Sequence, residues 1–189
     1  MQHMFATIQA WDTALLTWVR GFESYAGSLA GIGVSELANL PALVGVSAVT
    51  FLILVRTRRF HDAFGLIIAG GGAQLGAYAL KLLTDRPRPP FELASYLEPG
   101  SSFPSAHAAV VVGLYGFLAW LVWRDCTLRR WWHYATVTAA GILVIAVGGS
   151  RIYLGVHYPS DVLAGYAVGA IFLCCGILLT RRGKDKNLC

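Results

Sequence analysis

Residues 162–180 read VLAGYAVGAIFLCCGILLT, nineteen positions without a charge or a histidine. A helix needs about 20 apolar residues to cross the hydrocarbon of a bilayer. Helices are the economical way to satisfy every backbone polar group there. Working outward from this stretch, the same test picks out 134–150, 108–123, 63–80 and 37–55, runs of 17, 16, 18 and 19 residues. Each reaches spanning length once its flanking turn is added. The sequence therefore predicts an all-α, multi-pass transmembrane helical bundle with five spans. Composition agrees: 56% of the 189 residues are hydrophobic and 13% charged, where a soluble domain carries about 25% charged residues. Mean hydropathy is +0.58. The length suits one domain over 1–189.

The first 36 residues break the pattern, because Asp12, Arg20, Glu23 and Glu36 interrupt them. Phe5, Ile8, Trp11, Leu15, Trp18 and Phe22 recur at helical spacing, which favours an amphipathic helix at the membrane interface over 1–36. A sixth, poorly hydrophobic span over about 10–33 is the competing reading. The N-terminus lacks the basic start of a cleavable signal peptide. Glycines 70, 71, 72, 76, 148, 149, 165 and 169 lie within spans and suggest close helix packing. The cluster at 70–76 has no GK[ST] and is not a phosphate loop. Cys126, Cys174, Cys175 and Cys189 show neither CxxC nor zinc-type spacing, so free or buried thiols and no disulfide are expected. Trp120, Trp123, Trp131 and Trp132 read as an interfacial aromatic belt, and His61 and His133 as surface residues.

Basic residues fix the orientation. Arg56, Arg58 and Arg59 follow the first span, Arg124, Arg129 and Arg130 the third, and Arg181, Arg182, Lys184 and Lys186 the fifth. Alternating spans put these ten of the fifteen Lys and Arg on one face, which the positive-inside rule makes cytoplasmic. Lys81, Arg86, Arg88 and Arg151 fall on the opposite face at span ends, and an anionic ligand there is the simplest reason for them.

That opposite face collects three constellations. The first is Lys81-Leu-Leu-Thr-Asp-Arg-Pro-Arg88-Pro89, in which prolines 87, 89 and 90 stiffen the loop. The second is Pro104-Ser105-Ala106-His107, which has the form of a helix start with Ser105 as N-cap. Amides at such a start bind phosphate readily. The third runs from Ser150 and Arg151 to His157 and Asp161. Its histidine and carboxylate are four apart, and a carboxylate on one ring nitrogen fixes the tautomer and frees the other nitrogen. Arg86 has two readings, a contact to the ligand phosphate or a pair with Asp85.

In order and spacing these residues resemble the signature of the type 2 phosphatidic acid phosphatases, also called lipid phosphate phosphatases: KxxxxxxRP, PSGH, SRxxxxxHxxxD. Every fixed position matches except Ala106, which replaces a glycine and keeps the backbone amide. The motifs and their spans cover 62–180, the expected catalytic core.

The resemblance implies a metal-independent phosphatase acting on a phosphorylated membrane lipid. Lys81, Arg88, Arg151, Ser105 and Ala106 would hold the phosphate. His157 would attack phosphorus and form a phosphohistidine, Asp161 would orient it, and His107 would serve as acid and then base. No cofactor is implied. Zinc on His107, His157 and Asp161 is the chemical rival, but the surrounding cations would repel it and only one carboxylate lies in the motifs.

Polyprenyl diphosphate, phosphatidic acid, phosphatidylglycerol phosphate and lipid A phosphates all suit such a site. The short loop 84–104 favours a small or linear substrate. A lipid phosphotransferase sharing the intermediate, and a non-catalytic lipid-binding protein, are the alternative readings. The expected partners are the lipid substrate and the bilayer, with no nucleic acid, and no feature sets an oligomeric state. The expected location is a bacterial inner membrane, with the site at the periplasmic or extracellular face and the C-terminus cytoplasmic.

Overall fold

The computed structural model describes residues 2–125 and 127–181. Cys126, Arg182, Lys184, Lys186 and Cys189, which figure in the readings above, lie outside the described residues. Helices α1 (Gln2–Arg20), α2 (Tyr25–Glu36), α3 (Leu40–Arg56), α4 (Phe60–Thr84), α5 (Ala106–Trp123), α6 (Arg130–Tyr153) and α7 (Pro159–Arg181) follow one another, with no strand among the described residues. Five segments are long and apolar enough to cross a membrane: Tyr25–Arg56, formed by α2 and α3 together, then α4, α5, α6 and Pro159–Thr180 of α7. The all-α multi-pass bundle is the one the apolar runs predict.

The first span departs from expectation by starting at Tyr25 rather than residue 37. Residues 25–36, YAGSLAGIGVSE, are small or apolar until their last position. Glu36 falls at the helix end, where it accepts a hydrogen bond from the Asn39 side chain and so does not interrupt the helix. Ser24 caps α2 by accepting from the Gly27 amide at 3.1 Å. Asn39 caps α3 by accepting from Ala42 at 3.0 Å. Such caps satisfy orphan amides at a helix start. Residues 1–36 therefore hold two helices separated at Gly21–Ser24. A single helix over 10–33 does not form.

Helix α5 is the centre of the bundle. Its Ala108, Ala109, Val110, Val111, Leu114 and Phe117 are fully buried. Glycines let α7 and α4 approach it. A Cβ on Gly165 would stand 2.4 Å from the Ser105 carbonyl oxygen, one on Gly169 2.3 Å from that of Ala109, and one on Gly113 2.3 Å from that of Ala69. Gly72 and Gly76 make room for the Phe172 ring. Gly149, by contrast, faces open space, so the small-residue argument does not extend to it. Because the obstacle at Gly169 is backbone, Gly169→Ala is expected to cost about 1–3 kcal/mol through overpacking, read as a lower melting temperature in detergent. Gly149→Ala, which meets no such obstacle, should hold or raise the melting temperature through alanine's higher helix propensity.

Outward-facing Leu75, Leu82, Ile142, Ile145, Leu163, Ile171 and Leu178 form the surface a bilayer would cover. Cys174 and Cys175 are free and exposed on that surface, not buried. Trp123, Trp131 and Trp132 are exposed near one end, as a belt requires. His61 is exposed, whereas His133 is half-buried with its Nε2 3.0 Å from the Asp125 carbonyl oxygen. At that end Asp62 is fully buried and pairs with Arg59 at 2.7 Å and with Arg124. The opposite end gathers the C-termini of α4 and α6 and the N-termini of α5 and α7, so the three sequence constellations meet there.

Candidate active site

Lys81, Arg151, Ser105 and Ala106 sit at helix ends, and Arg88 lies in a loop. Lys81 lies in the last turn of α4 and donates to the Ser101 carbonyl at 2.5 Å. Arg88 follows in the loop. Its Nε donates to Gly100 O at 3.0 Å, its Nη1 donates to Val156 O at 2.9 Å, and Nη1 stands 3.4 Å from His157 Nε2. Arg151, in the last turn of α6, is fully buried. Its Nη1 donates to Ser35 Oγ at 2.7 Å and to Tyr96 OH at 2.6 Å, and its Nη2 pairs with Glu98. Ser105 caps α5, accepting from the Ala108 amide at 3.4 Å, as its sequence context predicts. Ala106 and His107 occupy the first turn.

His157 is 1% exposed. Its two ring nitrogens face different groups: Nε2 looks to Arg88, and Nδ1 lies 3.6 Å from Asp161 Oδ2. That distance is longer than a hydrogen bond. Burial, the first cause, together with Arg151 and Arg88, pushes the imidazole down to about 4 despite the opposing pull of Asp161. His157 is therefore neutral at ordinary pH, the state a nitrogen nucleophile needs.

Asp161 is fully buried in the first turn of α7. Its Oδ1 accepts from Arg86 at 2.6 Å, while Oδ2 accepts from the Tyr158 amide at 2.9 Å and from the Ser102 hydroxyl.

A cavity of about 560 Å³ opens beside this cluster, walled by Lys81, Arg88, Glu98, Ala106 and His107, while the buried Arg151, His157 and Asp161 do not line it. Farther out it is flanked by Asn39 and Leu40 of the first span and by Gln74 and Tyr78 of α4. Glu98 reaches across the cation cluster, pairing with Arg151 and standing 3.3 Å from Arg88 Nη1. Burial pushes its carboxyl up, but the guanidiniums of Arg151 and Arg88 more than offset this and hold it below the ordinary range. Among the described residues no group of three His, Cys, Asp or Glu side chains stands close enough to hold a metal ion.

Several participants escaped the sequence reading. Glu98, Tyr96, Ser102 and Ser35 carry no motif. Arg86 does not pair with Asp85 and is not among the residues that wall the cavity. It bridges Asp161 and Asp12, the latter at 2.7 Å. Asp85 instead has a left-handed backbone, φ 41°, that turns the chain out of α4. The signal available for Arg86 was the surplus of cations on a face expected to be poor in them.

Residues 62–184 match the PAP2 superfamily, and the chain belongs to it. The match contains Lys81, Arg88, the Ser105–His107 turn, Arg151, His157 and Asp161. Among curated relatives, phosphatidylglycerophosphatase B of Bacillus subtilis is 30% identical over 132 residues, 70% of this chain and 63% of that protein. Decaprenylphosphoryl-5-phosphoribose phosphatase of Mycobacterium tuberculosis is 37% identical over 110 residues, 55% of each. The chain thus spans less than two thirds of the length of these relatives. A crystal structure of a transmembrane PAP2 type phosphatidylglycerolphosphate phosphatase from Bacillus subtilis shares the fold. Its TM-score is 0.86 at 23% identity, covering 95% of this chain and 89% of that one. The protein is accordingly an integral membrane member of the superfamily.

Proposed function

We propose that the protein hydrolyses a phosphate ester or diphosphate of a membrane lipid, through a phosphohistidine on His157 and without a metal. The observation that carries this reading is the convergence of Lys81, Arg88 and Arg151 with a buried neutral histidine backed by a carboxylate. Superfamily membership adds to it.

The lipid phosphate enters the cavity beside Lys81 and Arg88 and takes over the guanidinium of Arg151 from Glu98. Phosphoryl transfer spreads charge over equatorial oxygens, so this positive frame stabilises the transition state. Ser105 and the amides at Ala106 supply further hydrogen bonds. His157 Nε2 attacks phosphorus, and the P–O bond to the lipid breaks as His107, which takes up a proton when the phosphate anion binds beside it, gives that proton to the leaving oxygen. Water then attacks phosphorus and passes a proton to His107 as the P–N bond breaks, which releases phosphate and regenerates neutral His157. Asp161 beside Nδ1 balances the charge that develops on the ring.

The cation-poor rule for the outer face assigns the site to the periplasmic or extracellular side of a bacterial inner membrane, with the C-terminus cytoplasmic. A cavity of about 560 Å³ suits a compact head group, such as phosphatidylglycerol phosphate, phosphatidate or a polyprenyl diphosphate.

The test is phosphate release by purified protein in detergent with EDTA, over those lipids and lipid A phosphates, with His157→Ala as control. Release by wild type alone supports the reading, and the rank order assigns the substrate. Release that needs an added divalent ion, or that persists in the variant, overturns the mechanism. In the same assay kcat/KM should be bell-shaped: the acid limb, below about pH 4, falls as His157 takes up a proton, and the alkaline limb falls as His107 loses the one it donates.

A further inference from the structure

Helix α1 meets the catalytic end of the bundle through one side only. Ile8, Trp11, Leu15, Trp18 and Phe22 point outward, while Asp12 and Leu16 are buried. A carboxylate turned inward from an otherwise apolar helix needs partners, and Asp12 has three contacts. Its Oδ1 accepts from the Ser160 amide at 2.9 Å, in the first turn of α7. Its Oδ2 accepts from Ser160 Oγ at 2.5 Å and from Arg86 Nη2 at 2.7 Å. Gln9, one turn earlier, accepts from the same Nη2 at 2.8 Å.

Arg86 carries the connection inward. Its Nη1 donates to Asp161 Oδ1 at 2.6 Å and to Ser160 Oγ at 2.8 Å, and its guanidinium lies 4.5 Å from the centre of the Tyr158 ring. Of the groups hydrogen-bonded to Asp161, Arg86 is the charged one; Ser102 and the Tyr158 amide are neutral. A buried chain of alternating charges is weak support for stability, because desolvation offsets the attraction. Its geometric effect is strong, since a planar fork binding two carboxylates fixes both.

We propose that Asp12 and Arg86 are positioning residues of the active site. Asp12 holds Arg86 and the first turn of α7, and Arg86 holds Asp161, which sets the ring of His157. The N-terminal helix is then part of the catalytic apparatus although it lies outside the matched superfamily region and carries none of the three motifs. The inference rests on the proposed roles of His157 and Asp161.

The test compares Asp12→Asn, Asp12→Glu and Arg86→Lys with Arg20→Gln in detergent micelles, with phosphatidate as substrate. Arg20 also docks α1, through Tyr153 O at 2.8 Å and Ser95 Oγ at 3.0 Å, but touches nothing in the site. Loss of a partner that orients a metal-ligating histidine costs about 10- to 100-fold, and the same scale is expected for a partner that orients His157 through Asp161. Asp12→Asn and Arg86→Lys should lose kcat in that range with KM within about twofold, Asp12→Glu should recover part of it, and Arg20→Gln should keep it.

A second readout does not depend on turnover. In ¹⁵N-histidine-labelled protein, Asp12→Asn should shift the His157 ring-nitrogen resonances, assigned by their absence in His157→Gln, and Arg20→Gln should not. Equal loss of kcat in Arg20→Gln and Asp12→Asn, or unchanged His157 resonances in a folded Asp12→Asn protein, overturns the proposal. If wild type releases no phosphate from any lipid, the functional reading fails, and the resonances still decide the positioning role.

Discussion

His157→Ala is expected to reduce phosphate release by about ten-thousandfold or more, the scale seen when a covalent nucleophile is removed. The protein should remain folded. The side chain is 1% exposed, but its closest polar contacts are Arg88 at 3.4 Å and Asp161 at 3.6 Å, neither a strong hydrogen bond. Asp161 keeps Arg86, Ser102 and the Tyr158 amide without it. Catalysis and stability should therefore separate: the melting temperature should move little while turnover vanishes. Quenching with alkaline denaturant during turnover, which preserves a P–N bond, should trap labelled phosphate on wild type and none on the variant. Label that persists on the variant would place the covalent step elsewhere.

Arg151→Lys should behave differently, losing both functions at once. Arg151 is fully buried and serves three acceptors, Ser35, Tyr96 and Glu98, from two nitrogens of one plane. An ammonium is a point charge on a flexible stem and cannot reproduce that fork. A guanidinium that stabilises a transferring phosphoryl group is worth about 10³–10⁵ in kcat. The expected result is a fall of that order, with a lower melting temperature because α2, α6 and the 91–104 loop lose their shared partner. Wild-type kcat in Arg151→Lys would remove Arg151 from the phosphate site.

These two outcomes depend on features of unequal legibility. The spans were readable because lipid imposes a composition on about 20 consecutive residues, and the motifs because their spacing falls at span ends. The exception, the start of the first span at Tyr25, arose because Glu36 looked like an interruption when it is a terminal residue with Asn39 as partner. The loop residues Tyr96, Glu98 and Ser102 were not readable. They reach the site through the path of the chain between α4 and α5, and no periodicity encodes that path. Asp12 was read as a defect in an apolar helix. Its charged partner, Arg86, lies 74 residues away in the loop after α4, and only the docking of α1 onto the catalytic end reveals it.

Glu98 gives the resting site its own counter-ion. With its carboxylate laid across Arg151 and Arg88, the cluster is partly neutralised before any substrate arrives, and every incoming anion must evict that carboxylate. A freely diffusing phosphate meets this toll at its bulk concentration. A lipid, confined to the membrane and presented beside Lys81, meets it at a far higher effective concentration. Under the proposed chemistry, a single acidic side chain thus makes the pocket a filter for tethered phosphates, sparing it from occupation by the product it releases.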